Sequence, residues 1–319
     1  PIFIVHGWTD DLFPVDEAQL TWSLIPESTP KKLYIGQIGH DSPNVQGEVD
    51  YVWNKIEKWF EYWLKDIDNG IMNEKKVEYT LGRWNGTTYY SDQFPLKNTS
   101  KRFYFKPESN NAGKLTTNIF EGKERQSILN TYILTGLSED PNYLELKTFQ
   151  EIPDLLTLVE NYTHGNVFDT VTFDSAPLDR NFVFAGNAKI NLFAENVFST
   201  IPPLSINRQI PVPVWDNLTL YYTQSKVQLN VKIYDVDENG TEELVARGLY
   251  SKILDDGVNN LQYSLFSNAH IFPENHKIRV KISTVDFPYG LPTVNFFITN
   301  IYYGIEYPSW IELPELSFA

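Results

Sequence analysis

The sequence predicts two architectures in one chain: a short parallel α/β sheet followed by an all-β domain, a β-sandwich of jelly-roll type. Three observations predict this. Two short apolar runs, "IFIV" and "LYI", alternate with two helical patterns before residue 70. From Val77 onward, helical periodicity gives way to segments that alternate or are rich in β-branched and aromatic residues. Between them lies "DNGIMNEKK", polar and carrying a turn-forming Asn-Gly. The expected domains are therefore 1–70 and 71–319.

Each element has its own justification. Ile2 to Val5, closed by Gly7, reads as a strand buried on both faces, as in parallel sheets. Val15 to Ile25 follows Pro14 and carries Asp16 and Glu17 in its first turn, where a helix dipole favours acids. Leu33 to Ile35 is a second short strand that runs into the Gly-rich loop "GQIGH". "VDYVWNKIEKWFEYWLKDI" places Val49, Val52, Trp53, Ile56, Trp59, Phe60, Trp63 and Leu64 on one wide stripe, the mark of a long amphipathic helix. This β-α-β-α order is that of the closing half of an α/β sheet. In the second domain, "VEYTLGRW", "RFYF", "YLELKTF", "FVFAGNAKINLFAE", "LTLYYTQ", "LNVKIYDVD", "HKIRVKIST" and "NFFITNIYYG" read as strands, and "DLLTLVENY" as a short helix. Strands punctuated by Gly, Pro, Asn and Asp fit a two-sheet sandwich.

Composition narrows the function. Lys plus Arg is 26 and Asp plus Glu is 41, a net charge of −15, which repels nucleic acid and anionic lipid. Without cysteine there are no disulfides, thiolate zinc sites or cysteine nucleophile. No apolar run approaches the ~20 residues a membrane-spanning helix needs. No metal-ligand spacing, phosphate-binding loop or calcium loop occurs, so no cofactor or metal is expected. Sequons at Asn85, Asn98, Asn161, Asn217 and Asn239, with low basic content, point to an extracellular or cell-surface setting, a cytoplasmic one being the alternative. The chain opens at Pro1 inside a strand pattern and its one methionine is Met72, so an upstream part is expected.

Two residues stand where chemistry is expected. Active sites of open α/β sheets lie beyond the carboxyl ends of the strands. Asp10 lies there, three residues after Gly7; His40 lies there, in the loop after the next strand. Asp followed by His on consecutive strand ends is the order of a Ser…Asp…His triad, in which the Asp orients the imidazole and the imidazole takes the serine proton. Asp11 competes with Asp10, but the Gly-x-x-Asp spacing favours Asp10. His6 reads as structural, and His164, His270 and His276 are scattered. Trp8 and Phe13, beside the Asp loop, are candidate pocket residues with core packing as the alternative; Trp84 and the loop between Pro153 and Val167 are further candidates. The Gly-x-Ser-x-Gly elbow that presents a nucleophilic serine is nowhere in the chain.

Taken in order, the landmarks "HGWTDDLFP", "LYIGQIGHDSP", "WFEYWLKDIDNG", "APLDRNFVFAGNAKINLFAE", "LNVKIYDVDENG", "ARGLYS" and "HKIRVKISTVDFPYGLP" resemble the C-terminal part of the X-Pro dipeptidyl-peptidase and cocaine-esterase family of serine hydrolases. The resemblance covers essentially the whole chain. It implies the closing part of an α/β-hydrolase sheet followed by a jelly roll, with Asp10 as triad acid and His40 as general base. The serine would lie on an upstream part or a second chain, leaving this chain inactive alone. The implied substrate is a peptide or a small acyl compound, cleaved at an ester or amide bond. Homo-oligomerisation is open. The competing readings are a non-catalytic carbohydrate- or protein-binding module, jelly rolls commonly binding on aromatic faces, and a surface or assembly protein that keeps a hydrolase-like remnant.

Overall fold

The computed structural model describes residues 1–10, 12–40, 46–130, 170–200, 226–284, 286 and 296–316. The expected segments "YLELKTF" and "LTLYYTQ", the short helix in "DLLTLVENY", the Pro153–Val167 loop, Asp11, His164 and the sequons at Asn161 and Asn217 lie outside these residues.

The first sheet has four strands in sequence order: β1 (Ile2–Gly7), β2 (Lys31–Gly36), β3 (Val77–Tyr79) and β4 (Tyr89–Ser91). β1, β2 and β3 are parallel, and β4 turns back antiparallel. Helix α1 (Val15–Leu24) connects β1 to β2, and α2 (Gln46–Lys65) connects β2 to β3. The segment expected as linker is ordered: Asn69 Nδ2 donates to the Lys58 carbonyl, Gly70 takes a left-handed turn and Ile71 is fully buried. Beyond it, Val77–Tyr79 does not begin the second set of strands. It pairs with β2 and extends the first sheet.

Side-chain alternation sorts the two faces of this sheet. Leu33, Ile35, Val77 and Tyr79 join Val15 and Trp22 of α1 in one core, which also takes in Ala185 and Ala269 from the later strands. The opposite face is polar beneath α2. Lys32 meets Glu74, while Lys55 of α2 bridges Glu74 at 2.9 Å and Glu78 at 3.1 Å. Only part of the helix stripe is therefore covered. Val52 and Trp59 are buried, Phe3 packs on Trp59 at 5.7 Å, and Trp53, Phe60 and Leu64 stand 65%, 52% and 75% exposed. Among the described residues β1 has a neighbour on one side only, so the sheet does not extend under the whole stripe.

Among the described residues, thirteen further strands follow: β5 (Thr99–Pro107), β6 (Ala112–Thr116), β7 (Lys123–Asn130), β8 (Thr170–Asp174), β9 (Phe182–Gly186), β10 (Lys189–Thr200), β11 (Lys226–Val236), β12 (Glu242–Ile253), β13 (Asn259–Ser264), β14 (Asn268–Phe272), β15 (Lys277–Ser283), β16 (Phe296–Gly304) and β17 (Trp310–Glu315). They form one hydrogen-bonded network, in the order β12-β11-β15-β8-β6-β5-β17-β10-β16-β7. β13 joins β10, while β9 joins β14 and touches β17. All these pairs are antiparallel except β6 with β8. Inward residues of nearly every strand share a single core around Phe105, Phe173 and Tyr303. Among the described residues, no helix is long and apolar enough to cross a membrane.

Candidate active site

Two glycines bring the Asp and His loops together. Gly7 and Gly36 are opposite partners at the carboxyl ends of β1 and β2, and the Trp8 N–H donates to the Gly36 carbonyl at 2.8 Å. Any side chain at Gly7 would collide with the other loop, because a Cβ there would lie 1.6 Å from the Ile38 carbonyl oxygen. Backbone cannot yield as a flexible side chain can. Gly7→Ala is therefore expected to cost at least ~3 kcal/mol, checked by denaturant titration.

From these ends the chain delivers Asp10 and His40 to each other. His40 Nδ1 lies 3.3 Å from Asp10 Oδ2. The other carboxylate oxygen, Oδ1, accepts the Leu12 N–H at 3.1 Å and the Phe13 N–H at 2.9 Å, so the Asp closes its own loop. Burial works against the charged form of Asp10, but the Phe13 amide, His40 and the Leu12 amide outweigh it and hold the carboxyl below its ordinary value. The sign follows. A carboxylate with a depressed folded pKa stabilises the native loop above the unfolded carboxylate pKa and loses that contribution as pH falls through the folded one. Asp10 is thus expected to stay ionised to lower pH than an unperturbed aspartate, which carbon-detected titration of its carboxyl checks.

The remaining sequence candidates take distinct places. The Phe13 ring packs on the His40 ring at 5.2 Å and is otherwise exposed. Trp8 is buried, its ring near Phe94 and its indole N–H donating to the Thr80 carbonyl at 3.0 Å. Trp84 packs on Tyr51 of α2. The His6 ring bonds its neighbour Gly7. His270 and His276, which seemed scattered, both hold the buried Asp235, one on each carboxylate oxygen at 2.8 Å.

Next to Asp10 is a cleft of about 470 Å³ at the seam between the two sheets. Trp8, Asp10, Leu12 and Glu17 form one wall; Leu244, Arg247, Phe266 and Asn268 form the other. Sequence reasoning missed what fixes this seam. Asp16 accepts the Ser267 N–H at 2.9 Å and the Ser267 hydroxyl at 2.8 Å, and Asn187 Nδ2 also donates to it. Gln37, beside the His loop, donates to the Ala269 carbonyl at 2.9 Å. The acid at the α1 N-terminus was readable as a dipole partner; its long-range partners were not.

Comparison with known proteins agrees with this fold. Over 79 residues, 24% of this chain, it is 34% identical to a Bacillus anthracis protein that carries the name Xaa-Pro dipeptidyl-peptidase. A Bacillus cereus protein of the same name is 32% identical over 79 residues. Among solved structures, a CocE/NonD-family hydrolase from Staphylococcus aureus superposes on 99% of this chain with a TM-score of 0.65 at 14% identity. The chain matches the C-terminal part of such a hydrolase. An aminopeptidase from a marine sediment archaeon (Thaumarchaeota) gives 0.69 over 99% at 15% identity, and an α-amino acid ester hydrolase 0.65 over 98% at 15%. At such identities, the likeness to these structures is one of fold. The chain spans about half of each: 54%, 55% and 55%. The matched stretch is 12% and 13% of the two Bacillus proteins. No family model matches the chain.

Proposed function

We propose that this chain supplies the Asp and His of a serine hydrolase that cleaves ester or amide bonds, with Asp10 orienting His40 and His40 serving as general base. The observation that carries this reading is the Asp10–His40 pair on the ends of neighbouring parallel strands. The nucleophilic serine attacks the carbonyl. His40 takes its proton and returns it to the leaving group, and Asp10 stabilises the imidazolium between the two steps. The names of the relatives favour an Xaa-Pro peptide or an amino-acid ester as substrate, and the peptide is the better fit to an acidic, aromatic-rich chain working outside the cell.

The serine comes, in this reading, from a segment that docks on the open side of β1. Among the described residues β1 pairs on one side only, and the helices on the sheet carry exposed apolar side chains, Leu20 and Leu24 on α1 and Trp53, Phe60 and Leu64 on α2. A free strand edge together with exposed apolar helix surface suits the packing of further sheet and helices. A fluorophosphonate probe applied to the natural protein is expected to label a serine in a Gly-x-Ser-x-Gly elbow, on an upstream part or on a co-purifying chain. Absence of labelling in a preparation that turns over ester would overturn the serine mechanism. Phe60→Glu is expected to loosen the docked segment, read as increased hydrogen exchange in β1.

A further inference from the structure

Glu48 is buried on α2 and pairs with no cation among the described residues, and the His loop is built around it. One of its oxygens, Oε1, accepts the Tyr34 hydroxyl at 2.8 Å and the Gln37 N–H at 3.1 Å. Tyr34 belongs to β2, and Gln37 is the first residue after that strand. The carboxylate also occupies the place of a side chain: a Cβ on Gly36 would lie 2.0 Å from Oε1. Glu48 is 1% exposed. Burial raises its pKa against the bonds from Tyr34 and Gln37. A buried acceptor without a counter-cation is costly unless its bonds are satisfied, so its two donors are strongly held in place.

We infer that Glu48 is the positioning residue of the Asp10–His40 pair, acting through the Gln37 amide to fix the direction in which the His loop leaves β2. The path is short and made of backbone. Gln37 is clamped to Glu48, the next residue, Ile38, presents the carbonyl that abuts Gly7, and His40 lies two residues further on. Gly36 in turn accepts the Trp8 N–H, which sets the start of the Asp10 loop. Both loops are thus referred to one carboxylate on the helix behind them. Glu48 touches neither the reacting atoms nor His40. The inference rests on the reading of Asp10 and His40 as a relay, and its test separates the two.

The test is nitrogen-resolved NMR of the His40 ring in the natural protein, reading which nitrogen carries the proton in the neutral ring and the titration midpoint. Asp10→Asn sets the reference for a broken pair and is expected to change the tautomer ratio about tenfold or more, the size of one charge-assisted bond. Glu48→Asp keeps the charge but is one methylene too short to reach the Gln37 amide. It is expected to move His40 most of the way to that reference. Glu48→Gln keeps the reach and an acceptor oxygen, and is expected to restore wild-type behaviour. An unchanged His40 in folded Glu48→Asp overturns the inference, as does an equal displacement in Glu48→Gln and Glu48→Asp. If Asp10→Asn itself leaves His40 unmoved, the relay reading fails, and the inference with it.

Discussion

Replacing His40 with Ala in the complete enzyme is expected to lower kcat/KM by about 10⁴-fold or more. The fold is expected to survive, with stability changed by less than about 0.5 kcal/mol. The reason is how little else the imidazole does. Among the described residues, its contacts are Asp10 Oδ2 and the exposed Phe13 ring. Asp10 keeps its two backbone donors without it. Asp10→Asn is expected to cost a similar factor by another route. Its Oδ1 remains committed to the Leu12 and Phe13 amides, so the new amide group faces His40 Nδ1 as a donor. The imidazole must then accept at Nδ1 and carry its proton on Nε2, the nitrogen that should take the proton from serine. Steady-state kinetics with thermal unfolding on both variants checks this. Turnover unchanged in His40→Ala would remove His40 from the mechanism.

The largest expected effect on stability is at Lys55. Its ammonium is buried between Glu74 and Glu78, and Tyr51 donates a further hydrogen bond to Glu78. Both acids depend on it, because Lys32 reaches Glu74 but is itself desolvated, which lowers its pKa. Lys55→Met leaves the Glu78 carboxylate, 6% exposed, without its cation. Removing one member of a buried ion pair typically costs about 3–5 kcal/mol. Most of that is the stranded charge rather than the worth of the pair. Lys55→Met combined with Glu78→Met is therefore expected to recover much of the loss, and urea unfolding of the three proteins decides it. The network also predicts acid sensitivity. Burial raises the pKa of Glu74, Lys55 and Lys32 lower it, and the balance lies below the ordinary value. Glu74 then stabilises the fold above the unfolded carboxylate pKa, and the contribution vanishes as pH falls through the folded value.

What the sequence discloses here is what periodicity and strand ends can carry. β1, α1, β2 and α2 were legible because each has its own local signal, and Asp10 and His40 because loops after parallel strands converge on one edge. Which part of the α2 stripe is covered was not legible, because a helical stripe does not say how far the underlying sheet extends. Val77–Tyr79 looked like the start of the second domain because β-branched and aromatic composition does not say which sheet a strand joins. Glu48 carried no signal at all. It is one acid in a mixed helix, and its role depends on a missing side chain twelve residues earlier, at Gly36. The outer face of the large sheet is another case. An aromatic-rich composition invites a sugar-binding face, yet Lys123 lies over Tyr302 and Tyr307, and Arg102 lies 4.1 Å from the Trp310 ring, so these rings already have cations on them.

The Asp16 seam bears on how such proteins can be recombined. Helix α1, which starts five residues after Asp10, is tied by one carboxylate to Asn187 and Ser267, from two distant stretches of the large sheet. Ala185 and Ala269, close to those donors, complete the core of the small sheet. The large sheet is then no interchangeable cassette. A chimera that imports it from a relative must import partners for Asp16 as well, or it inherits a buried-edge acid with no donors and an Asp loop cut loose from its frame.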